Sequence, residues 1–140
     1  MRRRIHSETK VVLPTNAELL ILDALWDLEE GTVEDVVERL PSNPRANYKT
    51  VQSLLRIMEH KGFVQHKTRG RAFVFTPRVS RDEVQRVLAR RVLDRTFHGS
   101  YAAMLMNLLD GNQVKEQELD ELEALIQRYR DQKSKGGTSE

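Results

Sequence analysis

The stretch that decides the fold runs from Asn47 to Gly62 and reads NYKTVQSLLRIMEHKG. Its apolar residues Val51, Leu54, Leu55 and Met58 fall at i, i+3, i+4 and i+7, which lays them on one stripe of a helix. At about 100° per residue, the middle of the opposite face falls to Lys49, Ser53, Arg56 and His60, with Thr50 and Gln52 on its flanks. Such a helix has a dry back that can rest on a core. Its front offers hydrogen-bond donors and positive charge and almost no acid. A face of that kind suits a polyanion, and the stretch reads as a DNA recognition helix.

The surrounding charge distribution supports this reading. The 140-residue chain has a net charge of only +2, but the charge is segregated. Met1–Arg4 carries +3, Ile5–Leu40 carries −7, Pro41–Arg78 carries +7 and Val79–Glu140 carries −1. Concentrating positive charge in one segment of a near-neutral chain is the electrostatic footprint expected for phosphate.

Upstream, Thr15 and Glu18 form a capping box after Pro14. Ala17, Leu20, Ile21, Ala24, Leu25 and Leu28 then make a broad apolar stripe, with Trp26 beside it as a packing residue. Glu29-Glu30-Gly31 closes this helix, and Gly31 suits a left-handed cap. Thr32 and Asp35 open a second helix with Val33, Val36, Val37 and Leu40 inward and Glu34, Asp35 and Glu38 outward. That acidic exterior would be repelled by phosphate. Pro41-Ser42-Asn43-Pro44 is a turn, because each proline lacks a donor and restricts its predecessor. Asn47 caps the third helix. Helix, short link, cationic helix is the helix-turn-helix order.

After Gly62 the apolar period shortens to two. Phe63–Lys67 and Ala72–Thr76 read as strands joined by Thr68-Arg69-Gly70-Arg71, and Pro77 ends the second. The tip carries Lys67, Arg69 and Arg71 and no acid. A basic hairpin directly after a recognition helix is a wing whose cations can lie along phosphates. Ser80 and Glu83 cap a fourth helix to about Phe97, with Val84, Val87, Leu88 and Val92 on one side. Arg86, Arg90, Arg91 and Arg95 read as its solvated or ion-paired face. Tyr101, Met104, Leu105, Leu108 and Leu109 mark a short fifth helix. The sixth runs from about Lys115 to Gln132, and Leu119, Leu122, Ile126 and Tyr129 follow the 3-4-3 spacing of a helix-pair seam.

The expected fold is mainly α with a small β-hairpin wing. A winged helix-turn-helix domain at residues 13–78 is followed by a three-helix dimerisation domain at residues 79–132. A flexible basic arm (residues 1–12) and a disordered tail (residues 133–140) flank them. Helices four to six are too thinly apolar to pack well alone, and a second copy of the chain is the simplest cover for their stripes.

The chain has no cysteine, which excludes disulfides, thiolate zinc sites and a cysteine nucleophile. No apolar run approaches the ~18 residues of a membrane span, and no signal peptide is legible, so a cytoplasmic protein without membrane insertion is expected. No Gly-rich phosphate loop, GxSxG or HExxH is present, and His6, His60, His66 and His98 lack metal-ligand spacing. Neither an enzyme nor a cofactor is expected. Lys49, Thr50, Gln52, Ser53 and Arg56 are the candidates for the major groove or its rim, and Lys67, Arg69 and Arg71 for phosphate. Which of the former read bases is open at this level. Two other uses of such a fold also remain open. One is a regulator released by a small-molecule effector without cleavage. The other is a winged helix that binds only protein.

From about Leu13 to Tyr129 the chain resembles the penicillinase repressor family of BlaI and MecI type. The resemblance lies in AELLILDALW, TVEDVVERL, YKTVQSLLRIMEHKGFV, RGRAFVFTP, YAAMLMNLL and ELDELEALI, in that order. It implies a dimeric winged-helix repressor on a palindromic double-stranded DNA operator, controlling resistance or stress genes. Release in such proteins usually follows proteolysis set off by a membrane-sensor metalloprotease, at an Asn–Phe bond in the fifth helix. The matching pair here is Asn107-Leu108, where Asn107 agrees and Leu108 departs. By periodicity Leu108 falls on the buried stripe, so cleavage would need local opening. A copper-responsive branch carries a C-terminal cysteine cluster, which this chain lacks.

Overall fold

The computed structural model describes residues 12–41, 47–111 and 113–136. Nearly all of the expected N-terminal arm, most of the turn after Pro41, and residues 137–140 of the expected tail lie outside them. Six helices and one hairpin follow in the order α1 (Asn16–Leu28), α2 (Val33–Arg39), α3 (Tyr48–Lys61), β1 (Val64–Arg69), β2 (Ala72–Pro77), α4 (Arg81–Thr96), α5 (Tyr101–Asp110) and α6 (Glu116–Gly136). The chain divides into two compact units, residues 1–92 and 93–140.

The first unit is built on α1, α2 and α3. Ile21, Leu22, Ala24 and Leu25 of α1, Val33 and Val36 of α2, and Val51, Leu55 and Met58 of α3 form one buried cluster. Phe63, Val64, Phe75, Val79 and Val84 complete it. The N-terminal caps read from the sequence are all made. Thr15 N–H donates to Glu18 Oε1 at 2.9 Å, and Glu18 N–H to Thr15 Oγ1 at 3.1 Å. Thr32 and Asp35 exchange the same two bonds at 3.0 and 3.1 Å. Thr50 N–H donates to Asn47 Oδ1 at 2.8 Å, which starts α3 where the chain must turn.

Tertiary packing rotates α1 relative to its sequence pattern. Leu20, expected inside, is 48% exposed, and Ala17 is exposed as well. Leu22 and the capping residue Glu18 are buried in their place. The four residues Glu18, Ile21, Leu22 and Leu25 make a narrower stripe at i, i+3, i+4 and i+7, because α3 and β2 meet α1 on that line. Trp26 packs against the cluster, and its indole N–H donates to the Val79 carbonyl at 2.9 Å.

Gly31 also differs from its expected role. The positive φ at the end of α1 falls on the cap Glu29 (φ 74°), not on Gly31. Gly31 instead pairs with β2. Its N–H donates to the Phe75 carbonyl at 3.0 Å, and its carbonyl accepts the Phe75 N–H at 2.8 Å. A Cβ at this position would lie 3.2 Å from Asp35 Cβ and 3.3 Å from Leu28 Cδ1. The glycine is there for close approach.

β1 and β2 are antiparallel, with Val64 opposite Pro77 through Arg69 opposite Ala72. The strands therefore run further than the sequence pattern, and only Gly70 and Arg71 turn between them. Gly70 takes φ 64°, which a two-residue hairpin turn requires at its first position. The first half of α4 seals the core through Val84 and Leu88. Further along α4, Val92 is exposed and Leu93 is buried, the reverse of the expected stripe. Asp27 ties three helices together: Arg81 Nη2 donates to Oδ1 at 3.1 Å and Arg39 Nη2 to Oδ2 at 3.3 Å. These bonds, that from Arg81 first, hold the Asp27 carboxyl below the ordinary carboxylate range. The Arg81 guanidinium also lies over the Trp26 ring at 5.3 Å.

In the second unit, α5 starts on Ser100, whose Oγ accepts the Ala103 N–H at 3.0 Å. No residue of α5 or α6 is buried. α6 continues past Gln132 to Gly136, where the sequence pattern expects a tail to begin. Lys133 and Lys135 in its last turn complement the helix macrodipole. Among the described residues, no helix is long and apolar enough to cross a membrane.

Candidate nucleic-acid interface

The back of α3 is anchored by Val51, Leu55 and Met58, all fully buried, with Leu54 packed beside them. That fixes the rotation of the helix about its axis. Lys49, Thr50, Gln52, Ser53 and Arg56 are consequently all exposed, together with His60. They supply cationic, amide and hydroxyl donors with no carboxylate among them. Tyr48 at the first turn and Ile57 on the flank are each about half exposed.

Two interactions place this helix, and neither is legible in local sequence pattern. At its C-terminal end, Lys61 Nζ reaches both Glu18 oxygens, at 2.8 Å to Oε2 and 3.1 Å to Oε1. Glu18 is 2% exposed, so one carboxylate closes the α1 cap and receives a lysine from α3. Two residues earlier, Glu59 faces the hairpin. Its Oε2 accepts the His66 N–H at 3.2 Å, and His66 Nδ1 lies 2.8 Å from both carboxylate oxygens. The His66 ring stacks on Phe73 at 4.1 Å. The one acid of the basic segment Pro41–Arg78 thus joins the end of α3 to the root of the wing.

The wing carries Lys67, Arg69 and Arg71, all exposed. Two of the three are not simply solvated. Arg69 Nη2 lies 3.1 Å from Glu30 Oε2, and Lys67 Nζ lies 3.8 Å from Glu30 Oε1. Glu30 carried no signal in the sequence, because its proximity to the wing depends on the Gly31–Phe75 pairing.

In the second unit, Asn107 and Leu108 both lie on the exposed surface of α5, Leu108 being 54% exposed. This corrects the expectation that Leu108 is buried. Met104, Leu105 and Leu109 are the half-buried residues of that helix. The expected seam on α6 is open in the single chain. Leu119, Ile126 and Tyr129 are exposed and Leu122 is half-buried. No group of His, Cys, Asp and Glu able to hold a metal ion occurs among the described residues.

The family described as "Penicillinase repressor" matches residues 14–128. The chain is 26% identical over 124 residues to the penicillinase repressor of Bacillus licheniformis, covering 89% of this chain and 97% of that protein. It is 16% identical over 114 residues to the methicillin resistance regulatory protein MecI of Staphylococcus aureus strain N315, covering 81% and 93%. It is also similar to the solved DNA-binding domain of the repressor BlaI, at 28% identity and a TM-score of 0.44, covering 49% of this chain and 84% of that one.

Proposed function

Because the chain belongs to the penicillinase repressor family, a family of DNA-binding repressors and not of enzymes, we propose that it works as a homodimer on a palindromic operator. Each copy inserts the exposed face of α3 into a major groove and lays its wing along the adjoining phosphates. The observation that carries this reading is the face of α3 itself, with Lys49, Thr50, Gln52, Ser53 and Arg56 exposed above a buried back. Lys49 and Arg56 suit guanine edges, Gln52 suits adenine, and the Thr50 methyl suits the thymine methyl. Lys67, Arg69 and Arg71 supply sequence-independent, salt-sensitive affinity. A cytoplasmic location goes with this reading.

The second copy docks through α6, along Leu119, Leu122, Ile126 and Tyr129. Two recognition helices on one dimer multiply modest half-site affinities through effective concentration. Release follows cleavage between Asn107 and Leu108 by a membrane-sensor metalloprotease of the kind the family resemblance implies. The exposure of both residues in the single chain supports access to that bond.

Footprinting the purified protein on the region upstream of its own gene tests this directly. Two related half-sites, spaced by about one helical turn (~10 base pairs) or a multiple of it, are expected. A single unsymmetrical footprint would remove the dimeric reading, and none at low salt would remove DNA binding. A small molecule that frees the intact protein from DNA would replace the proteolytic route with an effector.

A further inference from the structure

We propose that Glu30 is an intramolecular stand-in for a DNA phosphate: it occupies the wing cations Lys67 and Arg69 in the free protein and so sets how strongly the wing grips any duplex. This rests on the reading of the wing as a phosphate contact. The geometry is that of two acceptor oxygens facing two donors. Glu30 Oε2 takes Arg69 Nη2 at 3.1 Å, and Oε1 faces Lys67 Nζ at 3.8 Å. Lys67 and Arg69 are two residues apart on β1 and therefore share one face of the hairpin.

The position of Glu30 is set by the backbone. Its neighbour Gly31 exchanges both N–H to carbonyl bonds with Phe75 of β2, at 3.0 and 2.8 Å. The loop between α1 and α2 is thereby sewn to the hairpin, and the residue before the seam is held alongside the strand that bears the cations. An unconstrained surface acid would lose side-chain entropy on finding two such partners. The seam sets where residue 30 sits but not its side-chain rotamer, so Glu30 bears that cost too and the pairing stays modest.

A cation that faces Glu30 must leave it, or share it, to face a phosphate. If it leaves, the carboxylate remains unpaired beside an anionic backbone. If it shares, the phosphate contact is weaker. Either way Glu30 lowers the affinity for every duplex alike and leaves discrimination to the base contacts of α3. All three side chains are substantially exposed. Water and salt therefore screen the pairs, and the effect is a modest factor, not an on–off switch.

The test is a fluorescence-anisotropy titration of the full-length protein at low salt. One labelled duplex comes from the region upstream of its own gene, and the other is of random sequence. Glu30→Gln is expected to tighten binding to both by about two- to fivefold. In a Lys67→Ala/Arg69→Ala background the same substitution is expected to tighten both by a smaller factor, because only the repulsion between the carboxylate and the DNA backbone is then relieved. No tightening by Glu30→Gln, or equal tightening in both backgrounds, overturns the proposal. So does a Lys67→Ala/Arg69→Ala protein that binds as well as wild type, which would leave the reading of α3 intact. Failure of the wild-type protein to bind either duplex would instead overturn the DNA reading itself.

Discussion

At the residue scale, Glu18 and Lys61 decide how α3 is held. Glu18 is nearly inaccessible, and both its oxygens are engaged by Lys61 while Oε1 also accepts the Thr15 N–H. Removing the lysine leaves a buried carboxylate short of its cation. Lys61→Ala is expected to cost about 1–3 kcal/mol in urea denaturation, less than a fully buried pair because the lysine side is partly solvated. The exposed neighbour His60→Ala should stay within about 0.5 kcal/mol. Equal effects would show that the pair is incidental. On the exposed side of the same helix the readout is binding, not stability. Arg56→Ala is expected to weaken operator binding by about 1–3 kcal/mol and to relax one base position. Arg69→Ala should weaken all duplexes alike and lower the salt slope by about one unit. Gel shifts on single-base operator variants separate the two outcomes.

At the element scale, the unit depends on close approach between α1, α2 and the hairpin. Gly31→Ala places a methyl within 3.3 Å of Asp35 and Leu28. Leu28 can turn aside, but Asp35 Cβ belongs to the first turn of α2 and cannot move without the helix. A loss of about 1 kcal/mol is expected, read as a lower denaturation midpoint. Unchanged stability would mean that α2 shifts freely. The Asp27 tie has a pH signature. Bonds from Arg81 and then Arg39 keep its carboxyl ionised in the folded chain at pH values where the unfolded chain is protonated. The stabilisation is therefore present above the unfolded value, about 4, and lost as pH falls through the lower folded value. Asp27→Asn should flatten that part of the acid-unfolding curve. An unaltered curve below pH about 4 would show that the tie does not contribute.

At the scale of the whole molecule, the two units bury apolar surface very differently. The first encloses a contiguous core, whereas α5 and α6 of the second bury no residue. Tyr129 is 60% exposed and Ile126 49% exposed on one seam of α6. Leu122→Asp with Ile126→Asp is expected to convert a dimer to a monomer in sedimentation. Operator affinity should fall by more than about tenfold while the first unit stays folded by circular dichroism. A variant that remains dimeric would move the interface off this seam.

The sequence by itself determined the order and type of the elements, the N-terminal caps and the inward face of α3, because each depends on residues within a turn or two of one another. Thr15 with Glu18, Asn47 with Thr50, and the spacing of Val51, Leu55 and Met58 are signals of this local kind. The family resemblance was also legible, since it follows the same short motifs in order. Only the tertiary structure decided which side of α1 is buried, why residue 31 is glycine, and what the charges of Glu18, Glu30 and Glu59 face. Those outcomes depend on partners 43, 37 to 39 and 7 residues away. Leu20 and Leu22 are equally apolar, and the packing of α3 and β2 against α1, not hydrophobicity, chose between them. Likewise the cationic face of α3 could be read from Asn47–Gly62 alone, but the acid that faces the neighbouring wing could not. The pairing that brings it there joins Gly31 to Phe75, and no local pattern links those two residues.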